Sequence, residues 1–132
     1  GLVWGRLVCV VLVRPSRYTY RLIEACRDFT VNIPAASMDE TVAYCGTVSG
    51  RNHDKFAEKG LTALPGKTVS SPIVGECLVH YECKVVHYND IVPANLAPEV
   101  AASAYPGGDY HRLYYGEILS TTAHPDMDSL MG

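Results

Sequence analysis

Val13–Pro34 reads VRPSRYTYRLIEACRDFTVNIP, and the changes of pattern inside it decide the architecture. Just ahead of it, Leu7–Val13 is an unbroken apolar run, rich in β-branched residues, that halts at Arg14-Pro15. Its composition and length predict a fully buried strand. Pro15-Ser16 opens a turn, after which Leu22, Ile23 and Cys26 fall at helical spacing with Tyr18 or Thr19 one turn earlier. A helix over about Tyr18 to Arg27 follows, with Ser16 placed to cap its free amides. Phe29–Ile33 returns to β-forming residues and ends at Pro34, so the stretch reads strand, helix, strand.

Outward from there the patterns are looser. Ser37-Met38-Asp39-Glu40 fits a capping box, serine with glutamate three residues on, and predicts a second helix toward Cys45 broken by Gly46 and Gly50. His53 to Lys59 reads as one or two further turns, and Leu61 to Pro72 as loop with a turn at Pro65-Gly66. Cys77 to Val86 alternates. Cys77, Val79, Tyr81, Cys83 and Val85 share one face; Leu78, His80, Glu82 and Lys84 share the other. Ile91 to Asp109, rich in Ala, Pro and Gly, reads as a long excursion with at most one helical turn. His111 to Thr122 is the last strand, and His124 onward a polar tail. Helices between strands that then pair antiparallel favour an α+β, mainly β, small barrel or curled sheet over a doubly wound one. The domain is expected to cover residues 1–123, with a tail over 124–132.

Composition excludes several classes. The chain has 132 residues, a net charge of −3 and no basic stripe, which argues against a nucleic-acid surface. Gly1–Val13 is too short to span a bilayer and Arg6 interrupts it, so no membrane anchor is expected. The cysteines, Cys9, Cys26, Cys45, Cys77 and Cys83, are odd in number and form no C-x-x-C pair. They read as reduced, small core hydrophobes of a cytoplasmic protein rather than as a disulfide framework. No metal is expected, since His80 and Cys83, the nearest suggestive pair, would share no face of a strand.

The chemistry concentrates at Arg14-Pro15-Ser16-Arg17-Tyr18-Thr19. A helix start favours an anion through its free amides and dipole. Arginine forks and hydroxyls at Ser16 and Thr19 would complete a phosphate site. The competing reading is equally open: Ser16 merely caps and both arginines are solvated. No Walker A or G-x-G-x-x-G motif is present, so neither an ATPase nor a Rossmann fold is indicated.

The same stretch resembles the flavin reductase-like, FMN-binding domain family, which includes the flavoredoxins. CGTVSGRNHDKFAEKGLT, IVGECLVHYECKVV and GDYHRLYYGEIL are similar to further segments of that family, in family order. The resemblance implies a split β-barrel with Greek-key topology and non-covalent FMN. It implies phosphate contacts at Arg14, Ser16, Arg17, Tyr18 and Thr19, and further flavin contacts at Ser49, Gly50 and Lys55. For Lys55 a solvated helix lysine is as good a reading, and Asp54 reads better as a helix-start carboxylate than as an acid. His111 matches a histidine on the nicotinamide side in some relatives, although a histidine at a strand start is more often structural. NAD(P)H is then the expected electron donor, in a flavin reductase or, alternatively, in a flavoredoxin-type electron carrier serving a redox partner protein. The resemblance also implies a homodimer; Tyr105, Tyr110, Tyr114 and Tyr115 are candidates for its interface because tyrosine is enriched there, the competing reading being that these rings, Tyr115 above all, pack in the chain's own barrel. Family members carry strands ahead of this segment, so the barrel is expected to lack its N-terminal strands, and a non-binding remnant is the third reading.

Overall fold

The structure is a computed structural model and describes residues 1–130. In chain order it contains β1 (Leu2–Val3), β2 (Arg6–Val13), α1 (Tyr18–Cys26), β3 (Asp28–Ile33), α2 (Asp39–Thr47) and α3 (Lys55–Lys59). Then come β4 (Ala63–Leu64), β5 (Ile73–Val74), β6 (Val79–Asp90), α4 (Pro98–Ala104), β7 (Arg112–Ala123) and α5 (Met127–Leu130). Five strands form one sheet in the order β1-β2-β7-β6-β3, and β4 pairs with β5. Every pairing is antiparallel. The fold is therefore α+β and mainly β, as the patterning indicates.

The core lies where α1 meets the inner face of the sheet. Ile23, Phe29, Cys83 and Tyr114 are its buried centre, with Cys9, Val11, Val13 and Tyr20 packed round it. Burying a side chain such as Ile23 contributes about 1.5–3 kcal/mol. Gly116 is required by this packing. A Cβ there would stand 2.5 Å from Phe29 Cζ and 2.8 Å from Cys83 Cβ, so the Phe29 ring occupies the space a side chain would need. Burial pushes the Cys83 thiol up to about 12, with Cys9 adding to the rise, which leaves it an inert core residue. Cys77 is buried too, but Cys26 is exposed and departs from the core role expected of it.

Several local expectations are corrected. β2 is half-buried, not fully buried: Cys9, Val11 and Val13 face the core, while Val10 and Leu12 are 41% and 51% exposed. On the other face Val8 alone is buried, at 2% exposed, and the two-residue β1 pairs with the strand at Leu7 and Arg6. Neither expected cap forms. Arg17, not Ser16, is the N-cap of α1 and no side chain caps it. Ser37 lies in a 3-10 turn, and α2 starts behind Met38 without a side-chain cap and runs through Gly46.

In β6 the alternation is disrupted by register shifts at Glu82/Cys83 and Val85/His87. The face shared by Leu78, His80, Glu82 and Lys84 is buried at its centre, with His80 and Glu82 only 4% and 1% exposed. The excursion after β6 holds a 3-10 turn and the seven-residue α4, started by Pro98, so it is more helical than expected. Of the tyrosines expected at an interface, Tyr105 and Tyr114 are buried in the chain itself, at 7% and 0% exposed. The tail contains the short α5, and its last two residues lie outside the described ones.

Candidate functional site

β2 ends at Val13 and the chain turns into α1 through Arg14–Arg17, closed by the Arg17 amide on the Arg14 carbonyl at 3.0 Å. Arg14 is committed to the protein. It donates to the carbonyls of Ala104 (2.8 Å) and Asp109 (3.3 Å), and its guanidinium carbon lies 4.9 Å from the Tyr105 ring centre. Ser16 gives its amide (3.2 Å) and hydroxyl (2.5 Å) to the Asp109 carboxylate. The Ser16 hydroxyl is the main reason the Asp109 carboxyl titrates below its ordinary range, with the Ser16 amide and Arg14 assisting against partial desolvation. Asp109 thus takes Ser16, one of the donors that the sequence reading gave to a phosphate.

Across from this corner runs the segment from Val48 to Lys55. The Ser49 carbonyl accepts from the amides of Asn52 and His53, both at 3.1 Å, and its hydroxyl from the Arg51 amide at 3.2 Å. Gly50 lets the Tyr18 ring lie against the backbone, since a Cβ at Gly50 would stand 3.0 Å from Tyr18 Cδ2. Arg51 ties the two sides together by donating to the Ser16 carbonyl at 2.9 Å. Lys55 donates to the Cys45 carbonyl at 2.6 Å, and Asp54 caps α3 through the Ala57 amide at 3.1 Å.

Between the two sides is a cavity of about 410 Å³, within the usual size range for small-molecule sites. Arg14, Arg17, Tyr18, Thr19, Ser49, Gly50, Lys55 and His111 all line it. Ser16 does not; Asp109 holds it. Leu12, Val13 and Val48 form an apolar wall. A second cavity of about 600 Å³ shares Tyr18, Thr19, Gly50 and Lys55 with the first. Burial, with the Arg14 cation beside it, pushes the His111 imidazole below its usual value, against the pull of Asp109, and so favours the neutral ring.

The site's residues match a phosphorylated, ring-bearing ligand. Two cations, Arg17 and Lys55, and two hydroxyls, Thr19 and Ser49, stand with the uncapped start of the nine-residue α1 on one side, and an apolar wall on the other. Asp109 and Arg51 are not singled out by the sequence, and Tyr105, expected at an interface, instead packs against Arg14 and His111. Asp109 and Tyr105 sit in a Gly-rich excursion whose return to the α1 corner no local pattern reports.

An antiparallel sheet flanked by short helices, with a polar cleft at a strand-to-helix corner, places the chain among the flavin reductase-like split barrels. The flavin reductase like domain matches residues 7–131, and the chain belongs to that family. It is 35% identical over 112 residues to an uncharacterized protein of Archaeoglobus fulgidus, covering 85% of this chain and 54% of that protein. It is 32% identical to the protein YddH of Escherichia coli, covering 86% of this chain and 52% of that protein. The chain spans about half the length of the curated relatives it matches. Among solved structures, flavoredoxin of Desulfovibrio vulgaris is 31% identical with a TM-score of 0.70, covering 90% of this chain and 54% of that one. A Shewanella frigidimarina protein described as a flavin reductase with a split barrel domain shares the fold, with a TM-score of 0.73 at 18% identity over 95% of this chain and 56% of that one.

Proposed function

We propose that this chain binds FMN non-covalently in the cleft between the start of α1 and the 48–55 segment, and that it takes part in electron transfer from NAD(P)H to the flavin or onward. One observation carries the reading: Arg17, Thr19, Ser49 and Lys55 come from two separate segments and line one cavity at an uncapped helix start. Arg17 and Lys55 would neutralise the phosphate, and Thr19 and Ser49 would donate to its oxygens. Leu12, Val13 and Val48 would exclude water from the ring side. Bound flavin supplies the redox chemistry, so the protein's task is to bind, orient and tune. No side-chain acid or base is needed for hydride passage, which suits a cavity whose lining histidine, His111, is pushed toward the neutral ring.

FMN titration of the purified protein, with NAD(P)H oxidation measured with and without added FMN, tests this. Failure to bind FMN would sink it. FMN binding without NAD(P)H oxidation would favour the second reading, an electron carrier serving a redox partner, which the 31% identity to a flavoredoxin supports.

We also propose that two copies associate through the outer face of β2. Val10 and Leu12 are 41% and 51% exposed there, Trp4 in the turn ahead of the strand is 58% exposed, and Leu12 also lines the cavity. Sedimentation giving a monomer at micromolar concentration would remove this part of the proposal. As to membranes, no helix among the described residues is long and apolar enough to cross one.

A further inference from the structure

Tyr105 and His111 are six residues apart and meet across a tight reversal. Gly108 and Asp109 both take left-handed backbone there, with φ of 79° and 57°, and the Gly108 amide closes the turn on the Tyr105 carbonyl at 3.2 Å. The reversal brings the Tyr105 hydroxyl to 2.5 Å from His111 Nδ1. Tyr105 has little freedom to be anywhere else. Its ring meets Tyr110 at 4.7 Å and His111 edge-on at 5.5 Å between centres, and the Arg14 guanidinium lies 4.9 Å away. Arg14 in turn clamps the carbonyls of Ala104 and Asp109, on either side of the turn.

The direction of the hydrogen bond follows from burial. The Tyr105 hydroxyl has no other acceptor among the described residues, and the residue is 7% exposed. If Nδ1 were the donor, the buried phenol proton would be left without a partner, which is costly. The phenol therefore donates and Nδ1 accepts. A neutral imidazole that accepts at Nδ1 carries its proton on Nε2. His111 lines the cavity of the proposed flavin site, and Nε2 is the ring nitrogen left for a ligand.

We propose that Tyr105 is a positioning residue: its hydroxyl fixes the orientation and the Nε2–H tautomer of His111, so that His111 presents one hydrogen-bond donor to the carboxamide of a nicotinamide at the flavin cavity. This rests on the flavin reading above. It adds a group, and a direction of donation, that distinguish the nicotinamide partner from the flavin itself.

The test combines Tyr105→Phe, His111→Ala and the double variant. First, ¹⁵N NMR of His111 in the ligand-free protein reads the tautomer without any flavin. Protonated Nε2 is expected, with an Nδ1 signal that moves toward the unbonded position in Tyr105→Phe as the imidazole pKa rises. A wild-type ring protonated on Nδ1, or Nδ1 signals indifferent to Tyr105→Phe, overturns the proposal whatever the flavin result.

Second, in FMN-loaded protein, Tyr105→Phe should raise the KM for NAD(P)H by about three- to tenfold, the worth of one neutral hydrogen bond. The FMN Kd should not change. The double variant should then behave as His111→Ala alone, because Tyr105 acts through His111. Additive effects would mean that Tyr105 is merely structural, and overturn the proposal. The FMN Kd of the unsubstituted protein, measured first, separates the two claims: no binding sinks the flavin reading and with it the nicotinamide role.

Discussion

The segment from Thr62 to Glu76 and the cleft beside α1 are built from the same residue types and come out opposite. In the first, carboxylates are saturated from within. Glu82 accepts from the Thr68 amide and hydroxyl at 2.7 and 2.9 Å. Asp28 accepts from both amides and both hydroxyls of Ser70 and Ser71, between 2.5 and 3.0 Å. Glu76 takes the Thr62 amide and hydroxyl at 2.7 Å each. In the cleft the balance is reversed. Arg14, Arg17 and Lys55 line the cavity and Arg51 bridges its two sides; Arg14, Arg51 and Lys55 donate only to backbone carbonyls, and the Asp109 carboxylate is taken by Ser16. Where acceptors match donors, the polar groups hold the fold. Beside the cavity cations outnumber carboxylates, and the flavin reading proposed above makes a ligand's phosphate the further acceptor there.

The largest effect should come from breaking the saturated side. Glu82→Ala strands two donors that lose a charged acceptor beneath the sheet, and is expected to cost about 3–5 kcal/mol of stability in urea unfolding. Lys55→Ala should cost well under half of that. Equal losses would mean that the cleft is as structural as the loop.

Acid should act on the same side of the comparison. Burial raises the Glu82 and Asp28 carboxyls, but their hydrogen bonds outweigh it and leave both below their ordinary values. For Glu76 the Thr62 amide is the leading cause of the same lowering, partly opposed by burial. Groups depressed in the fold stabilise it fully above their unfolded pKa values, about 4, and lose that contribution as pH falls through the lower folded values. Two histidines add an earlier step: burial lowers the His80 and His111 imidazoles, so their contribution is lost as pH falls below about 6.5, and the carboxylates bring the drop below about pH 4. Replacing Glu82 by Gln should flatten the drop. A titration with no drop below pH 4, or one that Glu82→Gln left unchanged there, would contradict this assignment.

On the donor-rich side, Arg17→Ala should weaken FMN binding by about 1.5–3 kcal/mol, the loss of a charged hydrogen bond, with little change in thermal stability. Riboflavin, which lacks the phosphate, should bind the unsubstituted protein correspondingly worse. If riboflavin and FMN bound alike by fluorescence quenching, the excess of donors would have some other explanation.

How far the sequence reveals this contrast depends on the range of the interactions involved. The strand–helix–strand run is legible because its periods change within a few residues, and α1 and β3 fall within a residue or two of where those changes put them. Most of the cleft is legible because hydroxyls and cations crowd short segments whose resemblance to a family ranks them. The burial of Glu82 is not legible, because alternation gives only the face it shares with Leu78, His80 and Lys84, while the 67–69 backbone covers that face through contacts no periodicity encodes. The Ser16 partner is out of reach for a simpler reason: Asp109 is 93 residues further along the chain. Helix capping is a local explanation, and the real bond is not local.

That bond supplies the smallest and sharpest prediction. Were Ser16 a phosphate ligand, its removal would resemble that of Arg17. Were it a helix cap, its removal would destabilise α1. The structure supports neither role, because Ser16 lies outside the cavity lining and no side chain caps α1. Ser16→Ala removes one exposed bond to Asp109 and keeps the Ser16 amide bond, so stability should fall by only about 0.5–1 kcal/mol. FMN affinity should change by less than about fivefold, that is by under about 1 kcal/mol. Asp109→Asn should go the other way on binding, since it removes the one carboxylate that competes with an incoming anion at the corner while leaving an acceptor for Ser16. Calorimetric titration of FMN into both variants makes the comparison. A Ser16→Ala loss as large as that of Arg17→Ala, together with weaker binding in Asp109→Asn, would show that phosphate displaces Asp109 and takes Ser16 for itself.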